Sequence, residues 1–257
     1  MHYIKTNKKA LLVAKKTRTT TSSAKALEES LDALCRSYEG GRFRRYEMWC
    51  RWLDYTFAML CHANKVYTAR LCGLPEPPTF DHLGLTPEQI MLMQTMLDVA
   101  AEAASETYDD VLGAFYMGVD FGSDYMGQFF TPFSISRLTS LMTLQTAHTG
   151  EHNACSKRIS IAEPSCGSGG LIIAATQVLR DKGFSNDQYY FVGADIDFYC
   201  VKMTLIQLTL YDIPALVLHQ NTLSLDVWGI YPTFALLRDP LGRRERFIKH
   251  PVMFPVL

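Results

Sequence analysis

A chain of 257 residues with 48% hydrophobic side chains can build one large or two small domains around a substantial core. Its formal charge of −1 hides an asymmetry, since Met1 to Arg51 carries twelve Lys/Arg against five Asp/Glu while Asp81 to Met126 carries nine acids and no Lys or Arg. No apolar run nears the roughly twenty residues of a membrane span, and Ala10 to Ala14 is too short for a secretory core, so a soluble cytoplasmic protein without a membrane partner is expected.

Residues 1–22 read as a basic flexible arm, which can bind phosphate backbone by counterion release or stand as a solvated tail. A helix capped near Ser22 or Ser23 follows, with Leu27, Leu31, Leu34 and Cys35 on one face and Gly40-Gly41 as its stop. Arg42, Arg44, Arg45 and Arg51 then alternate with Phe43, Tyr46 and Trp49. Such interleaving can track a nucleic-acid strand by charge and stacking. The helical spacing of Trp49, Trp52, Leu53, Thr56 and Phe57 favours a core face instead, and that reading is taken, with the helix running to about Arg70. Pro75, Pro77 and Pro78 mark a loop, and Thr86-Pro87 a helix start. Met91, Met93, Met96 and Leu97 are read as core filling rather than a partner surface. With a helix near Asp109 to Met117, residues 23–126 form a helical domain.

Residues 127–257 are read as a second domain. Phe133 to His148 is a helix by Ile135, Leu138, Leu141 and Met142. His148, His152 and Cys155 stand in a ligand-like order, but no fourth ligand follows at a convincing spacing, so no metal is expected. The seven cysteines are odd in number and lack a Cys-x-x-Cys pair, which fits reduced thiols. From Arg158 the chain alternates strand, helix (Leu171 to Lys182), strand, helix (Tyr199 to Tyr211), strand. The fold class is therefore α/β: a Rossmann-like, mainly parallel sheet behind a helical domain, with ligands at the carboxyl ends of the strands.

Ile159 to Glu163 alternates as a short strand ending in an acid, Pro164 stops the ladder, and Ser165-Cys166-Gly167-Ser168-Gly169-Gly170 opens an apolar helix. Glycines there admit a ligand close to the backbone. A dinucleotide fingerprint would want a third glycine where Ile172 stands. Glu163-Pro164-Ser165-Cys166-Gly167-Ser168-Gly169 resembles instead the Asp/Glu-Pro-x-Cys-Gly-Ser/Thr-Gly loop of the adenine-N6 DNA methyltransferases. Gly127-Gln128-Phe129-Phe130-Thr131-Pro132 resembles a segment of type I modification subunits that lies against the cofactor from the other side.

The resemblance implies S-adenosylmethionine as cofactor, with Phe130, Thr131, Pro132, Glu163, Pro164, Cys166, Gly167, Ser168 and Gly169 around it. Tyr189 to Asp195 is a second strand ending in an acid; Asp195 is the candidate for the ribose diol, with Asp197 its rival. After the strand Ala215 to Leu218, Gln220-Asn221-Thr222-Leu223 stands where the family has Gly-Asp-Thr-Leu. Asn221 could accept from the cofactor's adenine amino group without a charge, so weaker binding is expected.

Methylating an exocyclic amine also calls for the family's Asn/Asp/Ser-Pro-Pro-Tyr/Phe tetrapeptide, which is not found. Tyr231, in Tyr231-Pro232-Thr233-Phe234, and Asp239, after an expected strand Phe234 to Leu237, are the two catalytic candidates. Asp239 is preferred by spacing, against an ordinary Asp-Pro turn. Only eighteen residues follow it, too few for two or three more strands with crossovers, so a compact or truncated sheet is expected. Two functions remain open. One is a DNA adenine-N6 methyltransferase whose specificity comes from a restriction-modification partner or is low; the other is a silent relative that binds DNA or such a partner as decoy or regulator.

Overall fold

The computed structural model describes residues 23–38, 43–119, 129–145 and 159–238. The arm 1–22, Arg42, Gly127, Gln128, the His148–His152–Cys155 series and Asp239 lie outside the described residues.

The chain begins with a helix over residues 23–36 (α1), followed by Arg45–Cys72 (α2), Pro87–Thr107 (α3), Val111–Gly118 (α4) and Phe133–Thr143 (α5). Local chemistry sets their ends. Thr86 caps α3 in a reciprocal pair with Gln89, and Pro87 occupies its first turn. Asp110 caps α4, its side chain accepting from the Gly113 N–H. Gly73 ends α2 in the left-handed conformation.

Leu27, Leu31 and Leu34 of α1 meet Trp49, Trp52 and Leu53 of α2 and Met93 and Met96 of α3 in one buried cluster. The aromatic row of α2 is thus core, as its spacing predicts. Trp52 Nε1 also donates to the Met93 carbonyl, which satisfies the one polar atom of the ring. The neighbouring arginines are held at the edge: Arg45 forks onto Asp32 and Glu28, and Arg51 lies 4.1 Å over the Phe43 ring.

The second half is a four-stranded sheet in the order β1 (Ile159–Glu163), β2 (Tyr189–Asp195), β3 (Ala215–Asn221), β4 (Asp226–Pro232). The first three strands are parallel and joined by α6 (Gly170–Asp181) and α7 (Phe198–Leu210), while β4 returns antiparallel along β3. Phe234–Leu237, expected as a strand, is a short helix (α8). Thr233 stops the β4 ladder there, its hydroxyl donating to the Ile213 carbonyl and accepting from the Ala215 N–H.

Helix α7 joins the two halves. Val201, Leu205 and Leu208 pack with the sheet residues Phe191, Ala215 and Val217, whereas Cys200, Met203 and Ile206 pack with the Trp49/Trp52 cluster. A second departure from expectation lies in α5. It buries Ser136 and Ser140, and its apolar row of Ile135, Leu138, Leu141 and Met142 is exposed. Arg137 fixes that orientation by reaching Gln177 and Asp181 of α6.

Candidate functional site

The parallel register brings the two acid-ended strands side by side, with Glu163 opposite Gly193 and Asp195 two residues beyond it. Between them the glycine turn is held on every side. The Cys166 N–H donates to the Ala194 carbonyl and the Gly167 N–H to Asp195 Oδ2 at 2.9 Å. Thr204 of α7 donates to the Gly167 carbonyl, and Gln207 Nε2 to the Ser168 carbonyl at 2.7 Å. Gly169 takes a φ of 97°, a conformation that side chains disfavour, and so lets α6 start directly from the turn.

Over this turn lies a cavity of about 300 Å³. Its walls include Glu163, Cys166, Gly167, Ser168 and Asp195 from the strand ends, Phe129, Phe130 and Thr131 from the segment before α5, and Asp110 and Ser136. Of the residues the sequence singled out, Phe130, Thr131, Glu163, Cys166, Gly167, Ser168 and Asp195 are therefore brought together. Phe130 comes closest to the turn, its ring 3.0 Å from where a Cβ on Gly167 would stand.

Others take supporting places. Pro132 is the N-cap of α5, Gly169 that of α6, and the Pro164 carbonyl accepts from the Thr222 hydroxyl at 2.6 Å. Asp197, the rival to Asp195, caps α7 through the Tyr199 N–H. Asn221 commits its amide oxygen to its own turn, accepting from the N–H groups of Leu223 and Ser224.

The two catalytic candidates stand differently. Tyr231 does not line the cavity; its ring packs edge-on to Phe57 at 4.8 Å, and burial pushes its hydroxyl above the ordinary range. Asp239 lies outside the described residues, but Arg238 before it pairs with Asp212, which precedes β3. That is the end of the sheet opposite the cavity.

The electrostatics of the cavity are one-sided. Three carboxylates line it, and among the described residues no Lys, Arg or His does. Burial raises the Glu163 carboxyl above its ordinary range, partly offset by a hydrogen bond from the Ser165 N–H. Burial also raises the Cys166 thiol to about 12, so it serves as a small packed residue and not as a nucleophile. Ser136 is fully buried, and its hydroxyl has no hydrogen-bond partner among the described residues.

Sequence reasoning missed Asp110 and Ser136. Asp110 reads as an ordinary helix cap, and Ser136 sits one residue from the apolar row that marks α5. Only the fold shows that both face the glycine turn. Among the described residues no group of three His, Cys, Asp or Glu could hold a metal ion, and no helix is long and apolar enough to cross a membrane.

The chain matches the family model for N-6 DNA methylase over residues 102–236, just over half its length. No curated protein matches it. Among solved structures it is similar to the type I restriction-modification system methyltransferase subunit from Streptococcus thermophilus, at 14% identity and a TM-score of 0.44, over 82% of this chain and 60% of that one. It is also similar to a protein from Listeria monocytogenes assigned as a class I S-adenosylmethionine-dependent methyltransferase, at 15% identity and a TM-score of 0.43, over 79% and 54%. It spans less than two thirds of the length of either.

Proposed function

The chain belongs to the N-6 DNA methylase family, and we propose that its cavity holds S-adenosylmethionine for methyl transfer to adenine N6 in DNA. The observation that carries the cofactor assignment is the charge of the walls. The cofactor has a sulfonium and an ammonium against one carboxylate, so a cavity of three carboxylates with no cation complements it. The same walls repel the pyrophosphate of a nicotinamide dinucleotide. The unpartnered Ser136 hydroxyl in the wall is a further sign of a polar ligand.

Residue roles follow from position. Asp195 is anchored by the N–H groups of Gly167 and Asp197, and each oxygen keeps acceptor capacity for a ribose hydroxyl. Glu163 offers its half-buried carboxylate to the cationic part of the cofactor. Phe130 and Thr131 cover the ligand from the α5 side and exclude water. Asn221 would reach the cofactor's adenine amino group only with the acceptor capacity left over from its own turn. When bound, S-adenosylmethionine supplies a methyl group made electrophilic by the sulfonium. Asp239, the sequence's candidate acceptor for the target amine, follows Arg238 at the far end of the sheet, so an enzyme of this fold would take its acceptor from another group. Sequence choice would come from a restriction-modification partner, with the basic arm 1–22 meeting the DNA backbone.

Two observations favour a second reading, a silent relative that keeps the cofactor fold and binds DNA or a restriction-modification partner as decoy or regulator. Tyr231 is packed away from the cavity, and Arg238, next to Asp239, pairs at the far end of the sheet. Calorimetric titration with S-adenosylmethionine, followed in the same sample by a methyl-transfer assay on unmethylated DNA, separates the two. Binding with transfer supports the enzyme, binding without transfer the silent relative, and absence of binding removes the cofactor assignment and leaves the basic arm and the helical domain as the functional parts.

A further inference from the structure

Asp110 is an unusual residue in this cavity. It is 5% exposed, lines the wall, and among the described residues enters no ion pair, although burying a carboxylate without a cation is costly. Three donors converge on it: Ser168 Oγ at 2.5 Å, Gln207 Nε2 at 2.8 Å and the Gly113 N–H at 2.9 Å. It also sits at the N-terminus of α4, where the helix dipole favours negative charge.

The surrounding backbone is shaped around this carboxylate. A Cβ on Gly113 would stand 2.3 Å from Asp110 Oδ2, and one on Gly170, in the first turn of α6, 2.7 Å from it. Two helices thus bring glycines against one acid, and the three donors offset part of the burial that raises its carboxyl. A cap alone needs none of this, because an exposed Asp caps a helix as well.

We infer that Asp110 is a further cofactor-binding residue, whose buried carboxylate is the counter-charge for the cationic methionine end of S-adenosylmethionine. The inference rests on the cofactor reading above and deepens it. The cavity is lined at one side by Asp195, for the ribose, and at another by Asp110 and Ser168, beside the start of α6. The unpartnered Ser136 hydroxyl, in the same wall, is an independent sign of a polar group there and can donate to the cofactor's carboxylate. The methionine end therefore meets an acceptor for its positive charge and a donor for its negative one.

The test is Asp110→Asn in the full chain. The amide keeps the Oδ1 acceptor for Gly113 and Gln207, and Ser168 can turn its hydroxyl to accept from the new NH₂ group, so only the charge is lost. Affinities for S-adenosylmethionine and for 5′-methylthioadenosine, which lacks both the sulfonium and the amino-acid end, are measured by calorimetry, together with the melting temperature of the ligand-free protein. The expected result is at least a tenfold loss of S-adenosylmethionine affinity, methylthioadenosine affinity within twofold of wild type, and a melting temperature unchanged or raised. Equal affinity of both proteins for S-adenosylmethionine would overturn the inference while leaving the cofactor reading intact. So would an unfolded or less stable variant that loses both ligands alike, since the carboxylate would then be structural. If the wild-type protein binds neither compound, the cofactor reading falls and the inference with it.

Discussion

Gln207 offers the sharpest test of how the glycine turn is held. Its side chain is buried and serves three groups at once: Oε1 accepts from the Leu112 N–H at 3.1 Å, and Nε2 donates to Asp110 Oδ1 at 2.8 Å and to the Ser168 carbonyl at 2.7 Å. Gln207→Ala strips the partner from two buried backbone groups and one of three donors from Asp110. At about 1 to 3 kcal/mol for each buried group left unsatisfied, the loss is on the order of 4 kcal/mol. For a chain of this size that lowers the melting temperature by roughly 8 to 16 °C. Gln207→Glu keeps the acceptor for Leu112 but sets a second carboxylate against Asp110, so its defect should be greater at pH 8 than at pH 5. Urea unfolding of the three proteins at both pH values gives the numbers. A Gln207→Ala protein within about 1 kcal/mol of wild type, or a Gln207→Glu protein as stable as wild type at pH 8, would refute the proposed role of Gln207 as the staple of the turn.

Burial raises the Asp110 carboxyl from its ordinary 3.8. The folded state therefore binds this proton more tightly than the unfolded chain, and the group's contribution to stability improves as pH falls through the raised value toward 3.8. Asp110→Asn should flatten that part of the stability curve; an identical pH profile for the two proteins counts against the raised carboxyl. At pH 8 Cys166, with its thiol pushed up to about 12 and its side chain buried, should resist iodoacetamide while half-exposed Cys72 reacts, as read by peptide mass spectrometry. Rapid labelling of Cys166 in the folded protein would contradict the packing of the turn. Asp195→Ala frees the Gly167 and Asp197 N–H groups and removes the proposed ribose acceptor, so S-adenosylmethionine binding should be lost; unchanged affinity sinks that role.

What sequence could reveal follows the range of the interactions involved. The strand Ile159 to Glu163, its turn and α6 are set by neighbours in the chain, and their pattern is plain in the residues. The helices α2 and α3 likewise declare their buried faces through Trp49, Trp52, Met93 and Met96, because one continuous apolar stripe has one place to go. For α5 the same reasoning picks the wrong face. Periodicity finds Ile135, Leu138 and Leu141, but close contact with α6 and the Arg137 bonds to Gln177 and Asp181 turn the serines inward. Phe234 to Leu237 is too short for periodicity to separate strand from helix, and the Thr233 bonds to Ile213 and Ala215 decide it. Asp110 escapes notice because its partners Ser168 and Gln207 lie 58 and 97 residues away. Asn221 is legible as a substitution in a motif, but its closed turn is visible only in three dimensions.

The double burial of α7 bears on how the molecule can be cut. A fragment holding only the sheet and its glycine turn would carry Cys200, Met203 and Ile206 as an uncovered greasy seam, and Lys202 would lose its ion-pair partner Asp54 on α2. Such a piece should aggregate or stay insoluble on expression, and so should the helical half alone, which would lose Cys200, Met203 and Ile206 from its Trp49/Trp52 cluster. Grafting or domain-exchange experiments that aim to move the turn into another protein must therefore carry α2, α3 and α4 along with it.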